Sequence, residues 1–198
     1  MLHAVLSQKY KTHKTPVNRN NLIGLPLTVL SLEEDAEAAV FEMGMDTFGE
    51  IHRMAEIVRP DIAIITNVGV AHIERLGSRE GILSAKLEIR DFFGPENVLI
   101  INDEGDLLNR AAAISTANYH PGHLVKAVLP TDLTDRNKQI FAGDHHDLTD
   151  SVTVLKYRQC SGNDRNSADL RHDLINAFHS AGTARRYNDR RAVQLPLA

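Results

Sequence analysis

The chain has 198 residues, with 22 Lys and Arg residues against 26 Asp and Glu residues, so its formal charge is -4. This charge argues against nucleic-acid binding through bulk electrostatics. A composition of 42% hydrophobic and 24% charged residues is typical of a globular chain that buries one sizeable core. Tryptophan is absent and aromatic residues make up 5%, so Ile, Leu, Val and Ala must dominate that core, as in an α/β sheet.

The cysteine content and the length of the apolar runs indicate a cellular location. Cys160 is the only cysteine, which excludes an intramolecular disulfide framework or a multi-cysteine zinc site and favours a reducing compartment. Apolar runs such as 62–68 are far shorter than the about 20 residues of a membrane helix. The first ten residues lack a signal-peptide pattern. We therefore expect a cytoplasmic protein that does not insert into membranes.

Short β-branched runs alternate with longer amphipathic segments over the first hundred residues, as in successive βα units. Two of the runs, AAVFEM and IAIITNV, are almost continuously apolar, which is typical of strands covered on both faces. We predict an α/β fold in which a mostly parallel sheet is flanked by helices. The predicted strands cover residues 10–14, 38–43, 61–67 and 97–102.

Two helices are predicted between these strands. Apolar residues recur three and four positions apart over 51–58, and Thr47 with Glu50 predicts a capping box at the start. The second helix is predicted over 78–93. Lys86 lies on its apolar side, where a lysine ordinarily extends its ammonium to water.

The pattern weakens from about residue 106. HLVKAVLP, KQIFAG and SVTVLKY are candidate strands, 168–181 is a candidate helix, and the last stretch resembles a solvated tail. We accordingly divide the chain into a domain over 1–105, a candidate diverged continuation over 106–160 and an undefined region over 161–198.

Several chemically capable side chains follow the apolar strands. Glu42 lies at the end of one strand, and Asn67 and His72 lie at and just beyond the end of another. Ligands of open α/β sheets bind outside the carboxyl ends of the strands, so these groups and Lys86 could form an anion or metal-phosphate site. Taken singly, a strand-end glutamate is more often a surface acid, and a loop histidine is more often a hydrogen-bonding or exposed residue.

Three segments resemble a known family: VLSQKYKTHKTPVNRNNLIGLPLTVLSL, AVFEMGMDTFGEI and RPDIAIITNVGVAHIERLGSREGILSAKLEI. In this order, over about residues 4–105, they resemble the ATP-binding central domain of the Mur ligases. The resemblance implies a P-loop NTPase-like fold, ATP and Mg²⁺ as cofactors, and a role in peptidoglycan precursor synthesis. The branch that adds the third amino acid typically has Ser-Ser-His after the strand-end glutamate, whereas this chain has Met43-Gly44-Met45. The resemblance is therefore strongest to the branch that joins D-alanyl-D-alanine to UDP-N-acetylmuramoyl-tripeptide, its expected partners.

The resemblance also implies roles for individual residues. Glu42 in EMGM corresponds to a magnesium ligand, and His72 in TNVGVAHIE to a histidine near a second metal ion, in contact with the ion or with its water. Lys86 in AKLEI corresponds to the family's N-carbamylated lysine and is the implied catalytic residue. A substrate-facing loop corresponds to Asn18, Asn20 and Asn21. That loop departs from the family pattern, which usually has Gly in place of Val17 and Leu in place of Arg19.

Other features of the family were not found in the sequence. No G-x-x-x-x-G-K-[ST] phosphate-binding motif occurs in the 198 residues, and the flanking domains are not recognisable. We therefore expect an incomplete, inactive central domain that binds ATP weakly. Its sheet should have a gap where the family's first strand lies, with unpaired edges and exposed apolar surface. The alternatives are a non-catalytic interaction module and another amide ligase of the same superfamily.

Overall fold

The computed structural model describes residues 2–102, 107–108, 123–127 and 152–157. These residues form a six-stranded sheet with helices packed on it, which confirms the predicted α/β class. Within this described part, no helix has the length and apolar character needed to cross a bilayer. The candidate strand KQIFAG and the candidate helix 168–181 lie outside the described residues.

The strands are β1 (Thr12–Lys14), β2 (Ala38–Met43), β3 (Ile62–Ile65), β4 (Val98–Asn102), β5 (His123–Ala127) and β6 (Val152–Tyr157). Their order across the sheet is β1-β2-β6-β3-β4-β5. The pairs β1 with β2, β3 with β4 and β4 with β5 are parallel, whereas β6 is antiparallel to both of its neighbours. The helices are α1 (Leu2–Leu6), α2 (Gly24–Leu30), α3 (Glu50–Val58), α4 (Ile73–Leu76) and α5 (Arg79–Leu87), and a 3₁₀ turn follows over Glu88–Arg90.

The apolar runs become strands because both faces of the sheet are covered, so alternate side chains enter different cores. All four residues of β3 and the first four of β4 are buried. The larger core includes α3 and α5 and contains Phe41, Met54, Ile65, Ile82 and Val154. The smaller core includes α1 and contains Leu6, Tyr10, Ile62, Ile100 and Leu155.

The start of α3 differs from its prediction. The Glu50 carboxylate does accept the Thr47 N–H at 3.0 Å, but the helix begins at Glu50 and its N-cap, Gly49, has no side chain to cap it. The cap comes instead from Glu88, whose carboxylate accepts the N–H groups of Gly49 and His52 at 2.8 and 3.2 Å. A carboxylate is favourable there because the first N–H groups of a helix lack partners within it. The predicted capping box is therefore only half formed: Glu50 accepts the Thr47 N–H, but the N-cap is Gly49, and α3 is capped by Glu88 from 39 residues away in sequence.

The predicted helix over 78–93 is confirmed for its first half. It ends as an α-helix at Leu87 and tightens into the 3₁₀ turn, while Ile82, Ala85 and Ile89 remain buried as the apolar pattern predicts. The Ser78 hydroxyl caps its start by accepting the Gly81 N–H at 3.1 Å.

The prediction of a gap in the sheet is wrong, because β6 fills the position between β2 and β3. Val154 pairs with Phe41 on one side and with Ala63 on the other, and it is fully buried. The Lys156 ammonium contacts the Asp61 carboxylate at 3.0 Å and so fixes the end of β6 against β3. The candidate strand SVTVLKY therefore provides the centre of the sheet rather than an addition to its edge.

Replacing Val154 with alanine tests the central position of β6. We expect Val154→Ala to lower the free energy of unfolding, measured by urea denaturation, by about 2 kcal/mol, because it leaves a cavity in the larger core. The matched control is Leu30→Ala on α2, where the side chain is 82% exposed and the change should stay within about 0.5 kcal/mol. Equal effects of the two substitutions would contradict the placement of β6 in the core.

Candidate functional site

The carboxyl ends of β2 and β3 lie at one edge of the sheet, because both strands are antiparallel to β6 and hence parallel to each other. In this register Glu42 is level with Thr153 of β6, which is level with Ile64 of β3. Two strand spacings, about 10 Å, therefore separate the β2 and β3 positions. The candidate site lies at this carboxyl edge, with the start of β6 between its two sides.

On the β2 side, the asparagine-rich loop is bound to the end of the strand. The Asn20 side-chain amide donates to Glu42 Oε1 at 3.1 Å, and the Asn20 backbone carbonyl accepts the Gly44 N–H at 2.6 Å. A Cβ at Gly44 would lie 3.2 Å from the Asn20 amide nitrogen, so glycine allows this close approach. Glu42 is half-buried and held by Asn20, rather than the free surface acid that a strand-end glutamate usually is.

The other two loop asparagines have different surroundings. Asn21 Oδ1 accepts the N–H groups of Ile23 and Gly24 at 3.1 and 2.8 Å, so this side chain caps the start of α2. Asn18 is exposed. The structure thus brings Asn20 to Glu42, while Asn21 has a structural contact and its substrate-binding role stays a prediction.

On the β3 side, His72 is connected to the loop that follows β2. His72 Nδ1 lies 2.8 Å from one carboxylate oxygen of Asp46, and Arg75 Nη1 lies 2.8 Å from the other. His72 has a left-handed backbone, with φ 61° and ψ 13°, a conformation that costs a residue with a Cβ about 1–2 kcal/mol. The contacts of His72 and Arg75 with Asp46 therefore hold the segment after β3 against the loop after β2.

Lys86 is fully buried on α5, with 0% of its surface exposed. Its ammonium donates to the Asn67 carbonyl at 2.7 Å, two residues past the end of β3. The ordinary interpretation of a lysine on an apolar stripe, that its ammonium reaches water, is therefore wrong here. Desolvation of a cationic group is costly, so a buried lysine at a ligand-binding edge is a candidate for chemistry rather than for packing.

The described residues contain no group of three or more His, Cys, Asp or Glu side chains placed to share a metal ion. Glu42 and His72 thus do not form a preassembled cage with a third such ligand in that part of the chain. This arrangement fits Mg²⁺ nonetheless, because Mg²⁺ in phosphate-transfer sites is commonly held by one or two carboxylates, substrate phosphates and water. The half-buried Glu42 carboxylate is a suitable oxygen donor for that mode.

Asp46 and Glu88 are site-forming residues that the sequence did not indicate. Asp46 lies in the loop after β2 and contacts His72, and Glu88 lies just beyond Lys86 and caps α3. Both contacts join segments that are 26 or more residues apart, so no local spacing marks them. The one signal in the sequence is that each acid lies within four residues of a predicted site residue.

Comparison with known proteins identifies the family of the chain. Residues 1–180 match the Mur ligase middle domain. This match covers more than half of the chain, and the chain therefore belongs to the Mur ligase middle-domain family.

Within the family, the chain is similar to ligases that share one name. The chain is 49% identical over 122 residues to the UDP-N-acetylmuramoyl-tripeptide–D-alanyl-D-alanine ligase of Bacillus subtilis strain 168, covering 62% of this chain and 27% of the relative. The ligase of the same name from Escherichia coli K12 is 41% identical over 119 residues, 59% of this chain and 26% of the relative.

Solved structures show the same likeness. MurF from Acinetobacter baumannii aligns with TM-score 0.58 and 32% identity over 63% of this chain and 27% of that protein. The MurF ligase from Thermotoga maritima in complex with ADP aligns with TM-score 0.53 and 31% identity over 63% of this chain and 28% of that protein. The chain thus spans about a quarter of the length of these relatives.

Replacing Lys86 with methionine separates stability from function at this position. A buried ammonium group carries a desolvation cost that an apolar side chain of similar volume does not. We therefore expect Lys86→Met to maintain or raise the free energy of unfolding, measured by urea denaturation. Ile82→Ala, a control in the same helix, should lower it by about 2–5 kcal/mol. A comparable loss in Lys86→Met would show that Lys86 is retained for stability.

Proposed function

We propose that this chain is part of an ATP-dependent ligase that joins D-alanyl-D-alanine to UDP-N-acetylmuramoyl-tripeptide. The observation that carries the proposal is the fully buried Lys86, held on the Asn67 carbonyl at the same sheet edge as Glu42. Support comes from relatives named for this reaction, two of which are 49% and 41% identical to the chain over the matched residues. The substrates are cytoplasmic precursors, so we place the protein in the cytoplasm.

The reaction requires activation of a carboxylate that is otherwise unreactive. The γ-phosphoryl group of ATP is transferred to the terminal carboxylate of the tripeptide, giving an acyl phosphate and ADP. The amine of D-alanyl-D-alanine then attacks the acyl carbon, phosphate leaves, and the amine loses a proton as the amide bond forms. Positioning and neutralisation of phosphoryl charge account for most of the catalysis in such transfers.

Glu42 is the residue we assign to Mg²⁺, which when bound neutralises charge on the phosphate oxygens. The hydrogen bond from Asn20 to Oε1 orients this carboxylate and leaves its other oxygen for the ion. His72 lies on the opposite side of the edge and is assigned to the second metal position or its water. Asn18 and Asn21 are assigned, with Asn20, to the loop that faces the substrate.

Lys86 is assigned as the carbamylated residue. Its uncharged amine would attack carbon dioxide, form an N–C bond and release one proton, which turns the side chain into an anion with two oxygen atoms. Such an anion can accept hydrogen bonds or bind a cation, whereas an ammonium group can only donate. The position of Lys86 supports this role, because its side chain contacts the chain just past the end of β3 and is shielded from bulk water.

The extent of the domain is also a proposal. We infer that residues 106–160 continue the domain formed by 1–105, because β5 pairs with β4 and β6 pairs with β2 and β3. Residues 161–198 lie outside the described part of the chain. A second candidate function, a non-catalytic interaction module, is favoured by the absence of the G-x-x-x-x-G-K-[ST] motif from the 198 residues, whose sheet is nonetheless closed by β6.

A chimeric ligase tests the leading proposal. We would replace the 122 matched residues of the Bacillus subtilis relative with those of this chain and measure phosphate release that depends on both substrates. We expect an active chimera in which Glu42→Gln and Lys86→Met each reduce kcat/KM by more than about 100-fold, beyond the usual effect of outer-sphere groups. Glu56→Gln, on the exposed side of α3, is the control that should retain activity. A folded but inactive chimera would contradict the proposal.

Titration of the 198-residue chain with a non-hydrolysable ATP analogue and Mg²⁺ tests whether these residues alone form a nucleotide site. Since the sequence has no phosphate-binding motif, we expect calorimetry to detect no binding in the micromolar range by the folded chain. Micromolar binding that disappears in Glu42→Ala would contradict this expectation and show a working nucleotide site. A folded chain that neither binds nucleotide nor supports an active chimera would leave the interaction module as the function.

A further inference from the structure

Asp46 is held in place at three points. One carboxylate oxygen lies 2.8 Å from His72 Nδ1, and the other lies 2.8 Å from Arg75 Nη1. Its backbone N–H donates to the Glu50 carboxylate at 2.5 Å. Because both its backbone and its carboxylate are engaged, Asp46 presents a fixed acceptor to the His72 ring.

This contact determines which nitrogen of His72 is available to a ligand. A neutral imidazole has one N–H donor and one acceptor nitrogen. A hydrogen bond from one ring nitrogen to an acceptor places the proton on that nitrogen. A carboxylate can only accept, so the proton of a neutral His72 lies on Nδ1. Nε2 is then the nitrogen with a free lone pair, and 38% of the side chain is exposed.

We infer that Asp46 is a positioning residue that holds the His72 ring with Nδ1–H toward its own carboxylate and so directs Nε2 to a metal ion or to its water. The part of this inference that concerns the metal rests on the proposed function, whereas the orientation of the ring does not. The left-handed backbone of His72 fits this role, because residues in such conformations persist where surrounding contacts hold them. Asp46 is thereby a link between the β2 and β3 sides of the carboxyl edge.

A second histidine-carboxylate pair provides a matched control within the chain. His52 Nδ1 lies 2.5 Å from Asp91 Oδ2, and its ring packs against Phe92 at 5.0 Å between centroids. His52 lies on α3 and Asp91 follows the 3₁₀ turn, so this pair is not part of the carboxyl-edge loops.

The test is nitrogen NMR of the ¹⁵N-histidine-labelled chain, at a pH well above the ordinary histidine pKa so that the rings are neutral. We expect His72 to carry its proton on Nδ1 in the unsubstituted chain. In Asp46→Ala the Nδ1–H form should fall several-fold, and Asp46→Asn, whose amide oxygen can still accept, should restore part of it. Asp91→Ala should change His52 and leave His72 as it was. An unchanged His72 tautomer in Asp46→Ala would overturn the inference.

Manganese as a probe then tests the direction of Nε2. We expect Mn²⁺ to broaden the His72 ring signals, and Asp46→Ala to require at least about 10-fold more Mn²⁺ for the same broadening. Equal Mn²⁺ requirements in the two chains would overturn the role of Asp46 toward the metal. If Mn²⁺ did not broaden the His72 ring signals, the metal site of the proposed function would fail, while the tautomer comparison would still decide whether Asp46 orients His72.

Discussion

The pairing of β6 with both β2 and β3 is the constraint on which the rest of the structure depends. Without this strand, the parallel strands of the sheet would form two separate groups with unpaired N–H and C=O groups along both inner edges. Val152 and Val154 of β6 are buried in the larger core and Leu155 in the smaller one, so this strand belongs to both cores. The same pairing sets the distance between the two sides of the candidate site, because Glu42 and the loop after β3 lie on either side of β6.

Polar contacts between loops then organise the carboxyl edge. Asn20 fixes Glu42, Asp46 contacts His72, and Glu88 caps α3 from beyond α5. Contacts between exposed charges contribute little individually, so the main effect of the Asp46 contacts is geometric. The buried Lys86 is different in kind, because its ammonium group is removed from water and held on a backbone carbonyl beside the site.

Much of the fold could be predicted from the sequence, because its strands are nearly continuous apolar runs with few alternative structures. AAVFEM became β2, the first four residues of IAIITNV became β3, and the apolar stripe over 51–58 became α3. The cap of α3 could not be predicted, since Thr47 and Glu50 match a local capping pattern while Glu88 provides the actual cap. The site was predicted as a set of strand-end positions, but its internal contacts, such as Asp46 with His72, join residues distant in sequence.

The sequence by itself determined the class of fold, the positions of Glu42, His72 and Lys86 after or beside particular strands, and the resemblance to the Mur ligases. These follow from local periodicity and from motifs that are contiguous in the chain. The tertiary structure decided that β6 fills the centre of the sheet, that Lys86 is buried rather than extended to water, and that Asp46 faces His72. Strand pairing, burial and long-range hydrogen bonds depend on which segments meet in space, and no spacing along the chain specifies that.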